Sequence, residues 1–230
     1  MDAARSLDGV GCHSGRVQDS VDHLDTAFPA AAWVALELLR RPQLREQWSR
    51  PSALPKMSTG ALACHLGRQV GRAAELLPVA TDVDPLPSAD AHYARAAWVT
   101  SSSPDDPVND RSTDDAEAAL GPTALVERVT AALEAVRGLL TAGGAREVVL
   151  IPWQGWSLRR DDFLLTRLLE LVVHTDDLAV SIGAPTPEFP QAAFDPVRDL
   201  LVRLAVRRHG QAAVVSALAR RERAQVIAAF

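Results

Sequence analysis

The fold is decided by residues 161–183, DDFLLTRLLELVVHTDDLAVSIG. Apolar residues recur along this stretch at the three- and four-residue spacing of an amphipathic helix. Acidic residues at its start suit the positive end of a helix dipole, and Gly183 followed by Pro185 is a typical stop signal. The pattern predicts a long helix that is apolar enough to be buried in a helical bundle.

A polar stripe runs along this predicted helix. Glu170 and His174 are four residues apart and project from one face, and Arg167 and Asp177 lie three residues to either side. A carboxylate and an imidazole that face a core need partners, because unpaired burial costs several kcal/mol. A divalent metal is one such partner, and Arg167 is another for Glu170. The spacing alone leaves both open.

The rest of the chain adds further helices and one short extended segment. This pattern predicts an all-α four-helix bundle over residues 20–185, with a loose N-terminal arm at 1–19 and a short helical C-terminal extension at 186–230. Helices are predicted from about 20 to 42 with a kink near Pro29, from the N-cap Ser58 to about Leu77, around 91–99, and from Pro122 to Gly143. A polar loop is predicted at 101–115 and an extended segment with an exposed aromatic turn at 147–156. The tail is predicted to form two helices, at about 195–208 and 212–221.

Composition excludes several classes of protein. The chain has 230 residues, 47% of them hydrophobic, which is enough for one large domain with its own core. Its net charge of -5 argues against a general affinity for nucleic acid or an anionic membrane surface. It has no apolar run long enough for a membrane helix, no basic-then-apolar leader and only two cysteines, so a cytoplasmic protein is expected. Lys56 is the only lysine, and this arginine bias is typical of high-GC genomes such as those of actinobacteria.

His65 lies in the predicted helix that begins after Ser58, among leucines and small residues that allow a close helix approach. With Glu170 and His174 it makes two imidazoles and one carboxylate drawn from two helices. Catalytic zinc is held by such a three-ligand set, with water in the fourth position. The alternative is a histidine that is satisfied within the core or at its boundary.

Two motifs resemble a known family. MSTGALACHL at 57–66 resembles the helix-two signature of the mycothiol-dependent maleylpyruvate isomerase N-terminal domain, and LTRLLELVVHTDDLAVSIG at 165–183 resembles its second signature, an Arg, then Glu-x3-His, then Asp-Leu. This domain belongs to the DinB-like superfamily of four-helix bundles, whose members bind a divalent metal at one end of the bundle. The resemblance covers roughly residues 20–185, with the two motifs in the right order and separation.

The resemblance implies a metal site and a thiol chemistry. The family's metal ligands fall on His65, Glu170 and His174; the divalent metal is expected to be zinc, and mycothiol is the expected thiol cosubstrate. The implied function is a metal- and thiol-dependent transferase or isomerase acting on a small electrophile. Its expected partners are these small molecules, with no nucleic acid and no membrane, and the protein is expected to be a monomer or a homodimer. A non-catalytic metal- or thiol-binding protein and a metal-assisted hydrolase are the alternatives.

Arg167 and Asp177 are the candidate catalytic residues. Arg167 either binds a carboxylate of the substrate or braces Glu170, and Asp177 either orients a ligand histidine or is simply a residue near the bundle end. The isomerase also has a C-terminal α/β domain that contributes an active-site arginine. The tail of this chain is predicted to be helical, so that arginine has no assigned counterpart here. The tail either packs near the metal end and brings at least one of its own arginines to the pocket, or pads the outside of the bundle with these arginines in solvent: Arg207, Arg208, Arg220, Arg221 and Arg223.

The remaining cysteines, tryptophans and histidines carry simpler expectations. Cys64 precedes His65 and points about 100° away around the helix, so it is expected to be a buried thiol rather than a nucleophile. Trp153 and Trp156 either wall a pocket or pack the bundle end. Cys12 is expected to be incidental, and four histidines are expected at the surface or boundary of the fold: His13, His23, His92 and His209.

Overall fold

Nine α-helices and one two-stranded sheet make up the part of the chain that the computed structural model describes, residues 15–100, 106, 110 and 112–230. The first helix begins at Gly15, so residues 15–19 of the predicted arm are helical, and the rest of that arm lies outside the described residues. The elements in chain order are α1 (Gly15–Leu39), α2 (Pro42–Gln47), α3 (Thr59–Leu76), α4 (Ala89–Arg95), α5 (Ser112–Ala118), α6 (Gly121–Thr141), β1 (Val148–Ile151), β2 (Trp156–Arg159), α7 (Arg160–Ser181), α8 (Gln191–His209) and α9 (Gln211–Ala219).

Four long helices form a bundle. α3 packs against α6 and α7, and α1 packs against the same two helices. The core between them consists mainly of aliphatic side chains and phenylalanines that are removed from solvent, among them Phe28, Leu62, Leu133 and Phe163. The predicted all-α four-helix bundle is confirmed. None of the helices in the described part of the chain is both long and apolar enough to cross a membrane.

Local sequence signals set the ends of the helices that build the site. Ser58 caps α3, because its side-chain oxygen accepts a hydrogen bond of 3.1 Å from the backbone N–H of Ala61. Asp161 and Asp162 lie in the first turn of α7, where negative charge is favoured. The predicted cap at Ser58 is confirmed, and α7 begins within one residue of its predicted start.

One segment that is predicted to be a loop ends in a helix. α5 covers the last residues of the polar stretch 101–115. Asp110 supports its start, since the carboxylate accepts hydrogen bonds from the backbone N–H of Ser112 at 3.0 Å and from the Ser112 hydroxyl at 2.8 Å. The helix has no apolar stripe of its own and is stabilised by packing on α3, so hydrophobic periodicity does not reveal it.

A β-hairpin takes the place of the single extended segment that is predicted at 147–156. β1 and β2 pair antiparallel, with Val148 opposite Arg159. Gly155 in the connecting turn has φ +77°, a conformation that favours glycine. The turn leaves half of Trp153 exposed, as predicted, and β2 leads directly into α7.

The C-terminal extension folds back over the bundle. α8 packs against α1, α4 and α7, and α9 follows it. Beyond α9 the chain returns towards α4, where the ring of Phe230 lies 4.9 Å from that of Trp98 and 5.4 Å from that of Tyr93. The predicted helical character of the extension is confirmed over Gln191–Ala219.

α3 and α6 approach each other most tightly at Gly67. A methyl group on this residue would lie 2.6 Å from Val129 Cγ2 and 2.8 Å from Leu125 Cδ1, whereas one on Gly71 would meet nothing within 4 Å. We expect Gly67→Ala to lower the free energy of unfolding by about 1–3 kcal/mol, because the added methyl group overpacks the helix interface. Gly71→Ala is the matched control and should raise the same quantity by about 0.5–1 kcal/mol, because alanine favours helix. Urea denaturation of both variants measures the two effects, and equal stabilities would contradict a tight contact at Gly67.

Candidate metal centre

Two bundle helices bring three metal-ligating side chains together. His65 comes from α3, and Glu170 and His174 lie one turn apart on α7. Glu170 Oε2 is 3.2 Å from His174 Nε2 and 3.6 Å from His65 Nε2, and one ligand atom from each residue lies within 4.8 Å of the others. Ligand atoms at about 2.0–2.2 Å from a tetrahedral zinc ion are about 3.3–3.6 Å apart. Both Glu170–histidine distances are close to that spacing, so the three side chains are candidate ligands of one ion.

Each histidine of this triad has its second ring nitrogen bound to a carboxylate. His65 Nδ1 lies 3.2 Å from Asp114 Oδ2, and His174 Nδ1 lies 3.0 Å from Asp177 Oδ2. A carboxylate accepts hydrogen bonds, so both Nδ1 atoms carry hydrogen and donate it, which leaves both Nε2 atoms directed at Glu170. This is the arrangement by which outer carboxylates hold metal-binding histidines in the required tautomer and orientation.

Asp114 is a site residue that the sequence does not predict. It is buried in α5 at 3% exposure, and its other oxygen lies 2.7 Å from an Arg68 guanidinium nitrogen. Arg68 also pairs with Glu117, which in turn pairs with Arg128 on α6. The only sequence signal is an acidic first turn after Asp110, and it does not say which histidine the turn reaches. The contact arises from the packing of α5 on α3.

The charges of the triad are strongly coupled. Burial alone would raise the pKa of Glu170, but hydrogen bonds from His174 and His65 outweigh it and hold this pKa well below its usual range. Burial would likewise lower the pKa of His174, but Asp177 and Glu170 raise it to about 9. A buried carboxylate that stays ionised is able to serve as a ligand of a divalent cation. An ion that takes the His174 nitrogen must displace its proton, because only the unprotonated nitrogen is a ligand.

A cavity of about 540 Å³ opens beside the triad, a volume suited to a small organic molecule. Part of its wall is aromatic, from Trp98, Trp153 and Phe230. Another part is cationic and is made by Arg68, Arg72 and Arg167. Asp177 also lines this cavity, as does Asp114, so both carboxylates that hold the histidines lie at its edge.

Arg167 does not brace Glu170 directly. It is only 5% exposed, and its hydrogen bonds go to Gln69 Oε1 at 2.5 Å and to the Thr166 hydroxyl at 3.3 Å. No carboxylate of the described residues lies within ion-pair distance of its guanidinium. Of the two roles that the sequence allows for Arg167, the geometry favours contact with a ligand in the cavity that it lines.

His92 lies inside the fold, so its predicted place at the surface or boundary is wrong. Its side chain is 3% exposed and lines the cavity. The indole N–H of Trp156 donates a hydrogen bond of 3.1 Å to His92 Nδ1. Burial and the nearby Arg167 lower the pKa of His92 to about 4, so the ring is neutral at neutral pH.

The tail arginines do not reach the cavity. All five are exposed, and Arg207 donates to the backbone oxygen of Asp90 instead. The tail does reach the cavity, because Phe230 lines its wall. The prediction that a tail arginine lies beside the pocket is wrong. The reason is that α8 turns its apolar face to the bundle and leaves its basic residues in solvent.

The other residues singled out from the sequence fall into two groups. Cys64 is fully buried, and burial raises the pKa of its thiol to about 11, as expected for an inert thiol. Trp153 lines the cavity and Trp156 binds His92, whereas His209 is exposed as expected. Cys12, His13 and the side chain of His23 lie outside the described residues.

Comparison with known proteins places the chain in a family. No curated protein and no solved structure matches it. One family model does match, that of the mycothiol maleylpyruvate isomerase N-terminal domain, over residues 29–179. The matched range contains most of the bundle, including the triad and both of its supporting carboxylates. Because the match covers well over half of the chain, the protein belongs to the mycothiol maleylpyruvate isomerase N-terminal domain family.

Proposed function

We propose that the protein is a metal-dependent, mycothiol-dependent transferase or isomerase that acts on a small electrophile. The observation that carries this proposal is the triad of His65, Glu170 and His174, with both Nδ1 atoms held by carboxylates, at the edge of a cavity. The family supports mycothiol as the thiol. A zinc-type ion, when bound, would supply Lewis acidity that lowers the pKa of a thiol, so that the nucleophilic thiolate exists at neutral pH.

The chain's own residues would hold and orient the reactants. Glu170 and the two Nε2 atoms provide three ligands, which leaves a fourth position open to the cavity. Asp114 and Asp177 keep the imidazoles in the tautomer that exposes Nε2. The aromatic wall would exclude water from part of the bound electrophile, since indole and phenyl rings offer apolar surface.

Cys64, the cysteine that the structure describes, is not placed to supply the nucleophile. Cys64 is fully buried with a raised pKa and does not line the cavity. Among the described residues no thiol lines the cavity, which supports an external thiol as the nucleophile. A small thiol of this kind is kept reduced in the cytoplasm, which is where we place the protein.

The arrangement of carboxylates favours thiol chemistry over hydrolysis. A metal-assisted hydrolase commonly needs a carboxylate or imidazole to take a proton from water. Of the residues that the structure describes, four carboxylates line the cavity, and each is engaged: Glu170 in the triad, Asp114 and Asp177 with the histidines, and Asp110 at the start of α5. A thiol whose pKa has already been lowered needs no such base.

A screen of thiols against a panel of small electrophiles tests the proposal. The zinc-loaded, untagged protein is incubated with mycothiol, another low-molecular-weight thiol or no thiol, and thiol consumption and product are measured. We expect turnover only with added thiol, and mycothiol should be preferred. Turnover without thiol would establish a hydrolase, and metal binding without any turnover would establish a non-catalytic binding protein.

Cys64→Ala separates an external thiol from a protein thiol in the same screen. We expect the variant to keep its metal content and its thiol-dependent rate within about twofold, because the Cys64 side chain is not one of the triad ligands and does not line the cavity. Loss of turnover in folded Cys64→Ala would replace the external-thiol mechanism with one through the protein's own cysteine.

A further inference from the structure

Two of the guanidinium groups that line the cavity form no ion pair with a carboxylate in the described part of the chain. Arg68 pairs with Asp114 and Glu117, so its charge is balanced within the described part of the chain. Among the described residues, the hydrogen bonds of Arg167 go to the neutral side chains of Gln69 and Thr166. The Gln69 amide is fixed in turn, because its N–H donates to the backbone oxygen of His65 at 3.0 Å. Gln69 therefore presents its oxygen to Arg167, which holds the guanidinium in place without neutralising it.

Arg72 is the second unbalanced cation. Its guanidinium carbon lies over the Trp153 ring, 4.0 Å from the centroid, which is a cation–π contact. No hydrogen bond or ion pair joins Arg72 to a described residue. Burial and the nearby Arg167 and Arg68 lower its pKa to about 10, which still leaves it charged at neutral pH. Two like charges therefore line the cavity. Arg167 spends part of its donors on Gln69 and Thr166, whereas no described residue accepts a hydrogen bond from Arg72.

His92 adds a neutral donor to the same cavity. An indole nitrogen can only donate, so the hydrogen bond from Trp156 makes His92 Nδ1 an acceptor. The single proton of the neutral ring then lies on Nε2. No described residue accepts that proton, and the ring lines the cavity. A neutral N–H held in this way can bind an oxyanion without exchanging a proton with it.

We propose that Arg72, Arg167 and the Nε2–H of His92 form a carboxylate-binding subsite beside the metal centre. The ligand it takes is the carboxylate of a planar or aromatic organic acid, because Trp98, Trp153 and Phe230 wall the same cavity. Planar guanidinium groups match the geometry of a carboxylate. A single negative charge suits the site better than a phosphate dianion, since Glu170, Asp114 and Asp177 also border the cavity. The inference rests on the proposed function in one respect, that this carboxylate belongs to the electrophile.

Benzoate and benzamide are the probes, since they share shape and differ in charge. Isothermal titration calorimetry on the zinc-loaded full chain, without thiol, measures both dissociation constants. We expect benzoate to bind at least about 10-fold more tightly than benzamide, because charge-assisted hydrogen bonds are the stronger ones. Equal binding of the two probes, no benzoate binding at millimolar concentration, or tighter binding of inorganic phosphate would overturn the proposal.

Variants locate the binding. Arg72→Gln should weaken benzoate binding about 10–100-fold, as expected for the loss of a hydrogen-bonded charge partner. Arg72→Lys should weaken it less, since lysine keeps the charge but loses the fork. Arg208→Gln is the matched control, because Arg208 is exposed in the tail, and should bind as the unaltered protein does. If Arg72→Gln also binds benzoate normally, the anion is held by the zinc ion or elsewhere, and the subsite is wrong.

The calorimetric test is independent of turnover. If benzoate binding depends on Arg72 but no thiol is consumed in the screen, the subsite stands and the proposed function fails. If thiol is consumed but benzoate binding is insensitive to Arg72, the function stands and the subsite fails. Circular dichroism of each variant confirms folding, and the comparison of the two probes on the unaltered protein needs no variant at all.

Discussion

His174→Ala is expected to abolish stoichiometric metal binding. The variant keeps only His65 and Glu170 as protein ligands, and a site with two ligands holds a divalent ion weakly. Structural zinc sites with four ligands bind with about 10–16 kcal/mol, so the loss of one ligand should cost about 3–4 kcal/mol, or at least about 100-fold in affinity. Metal per chain is measured by elemental analysis of untagged protein after dialysis, and zinc affinity by competition with a chromophoric chelator.

His209→Ala is the matched control for this experiment. It removes an exposed tail histidine, and it should retain a full complement of metal. Folding of His174→Ala is checked by circular dichroism, because the substitution also removes the contacts of His174 with Glu170 and Asp177. Unchanged zinc content in folded His174→Ala would show that the metal is held elsewhere, and the assignment of the triad would be wrong.

Asp114→Asn is expected to weaken zinc binding about 10–100-fold although all three ligands stay in place. A loss of this size is typical when a carboxylate that is hydrogen-bonded to a metal-binding histidine is replaced. Asparagine still offers an oxygen to His65 Nδ1 but lacks the charge that makes the imidazole a stronger ligand. The substitution also removes the ion pair with Arg68, which keeps its partner Glu117. The readout is the zinc dissociation constant, obtained by the same chelator competition.

Asp115→Asn provides a neighbouring control on α5. Asp115 is exposed and lies in the same first turn, so its substitution changes the helix charge by the same amount without touching His65. Its zinc affinity should match that of the unaltered protein. If both variants lost affinity equally, the effect of Asp114 would be a general electrostatic one and not the positioning of His65. Thermal unfolding of the metal-free proteins separates either effect from a loss of fold.

The sequence by itself determined the parts of this protein that depend on short-range signals. The apolar spacing of 161–183 predicted α7, and the Ser58 cap predicted the start of α3, because helix formation and capping are decided by residues within a turn or two of each other. The placement of Glu170 and His174 on one face follows from the same periodicity. Two motifs in the right order make His65 a candidate metal ligand. In the structure its Nε2 atom lies 3.6 Å from Glu170 Oε2.

Only the tertiary structure decided what surrounds the triad. Asp114 reaches His65 across 49 residues of sequence, and Trp156 reaches His92 across 64. Neither contact follows from a periodic pattern, since α5 is short and polar and His92 lies on a helix of seven residues. The cationic wall of the cavity likewise depends on the tertiary structure, because Arg72 and Arg167 are separated by most of the bundle sequence. The more conspicuous arginines of the tail remain in solvent. Contacts between elements depend on how the helices pack against one another, and packing is a property of the whole chain that local spacing does not encode.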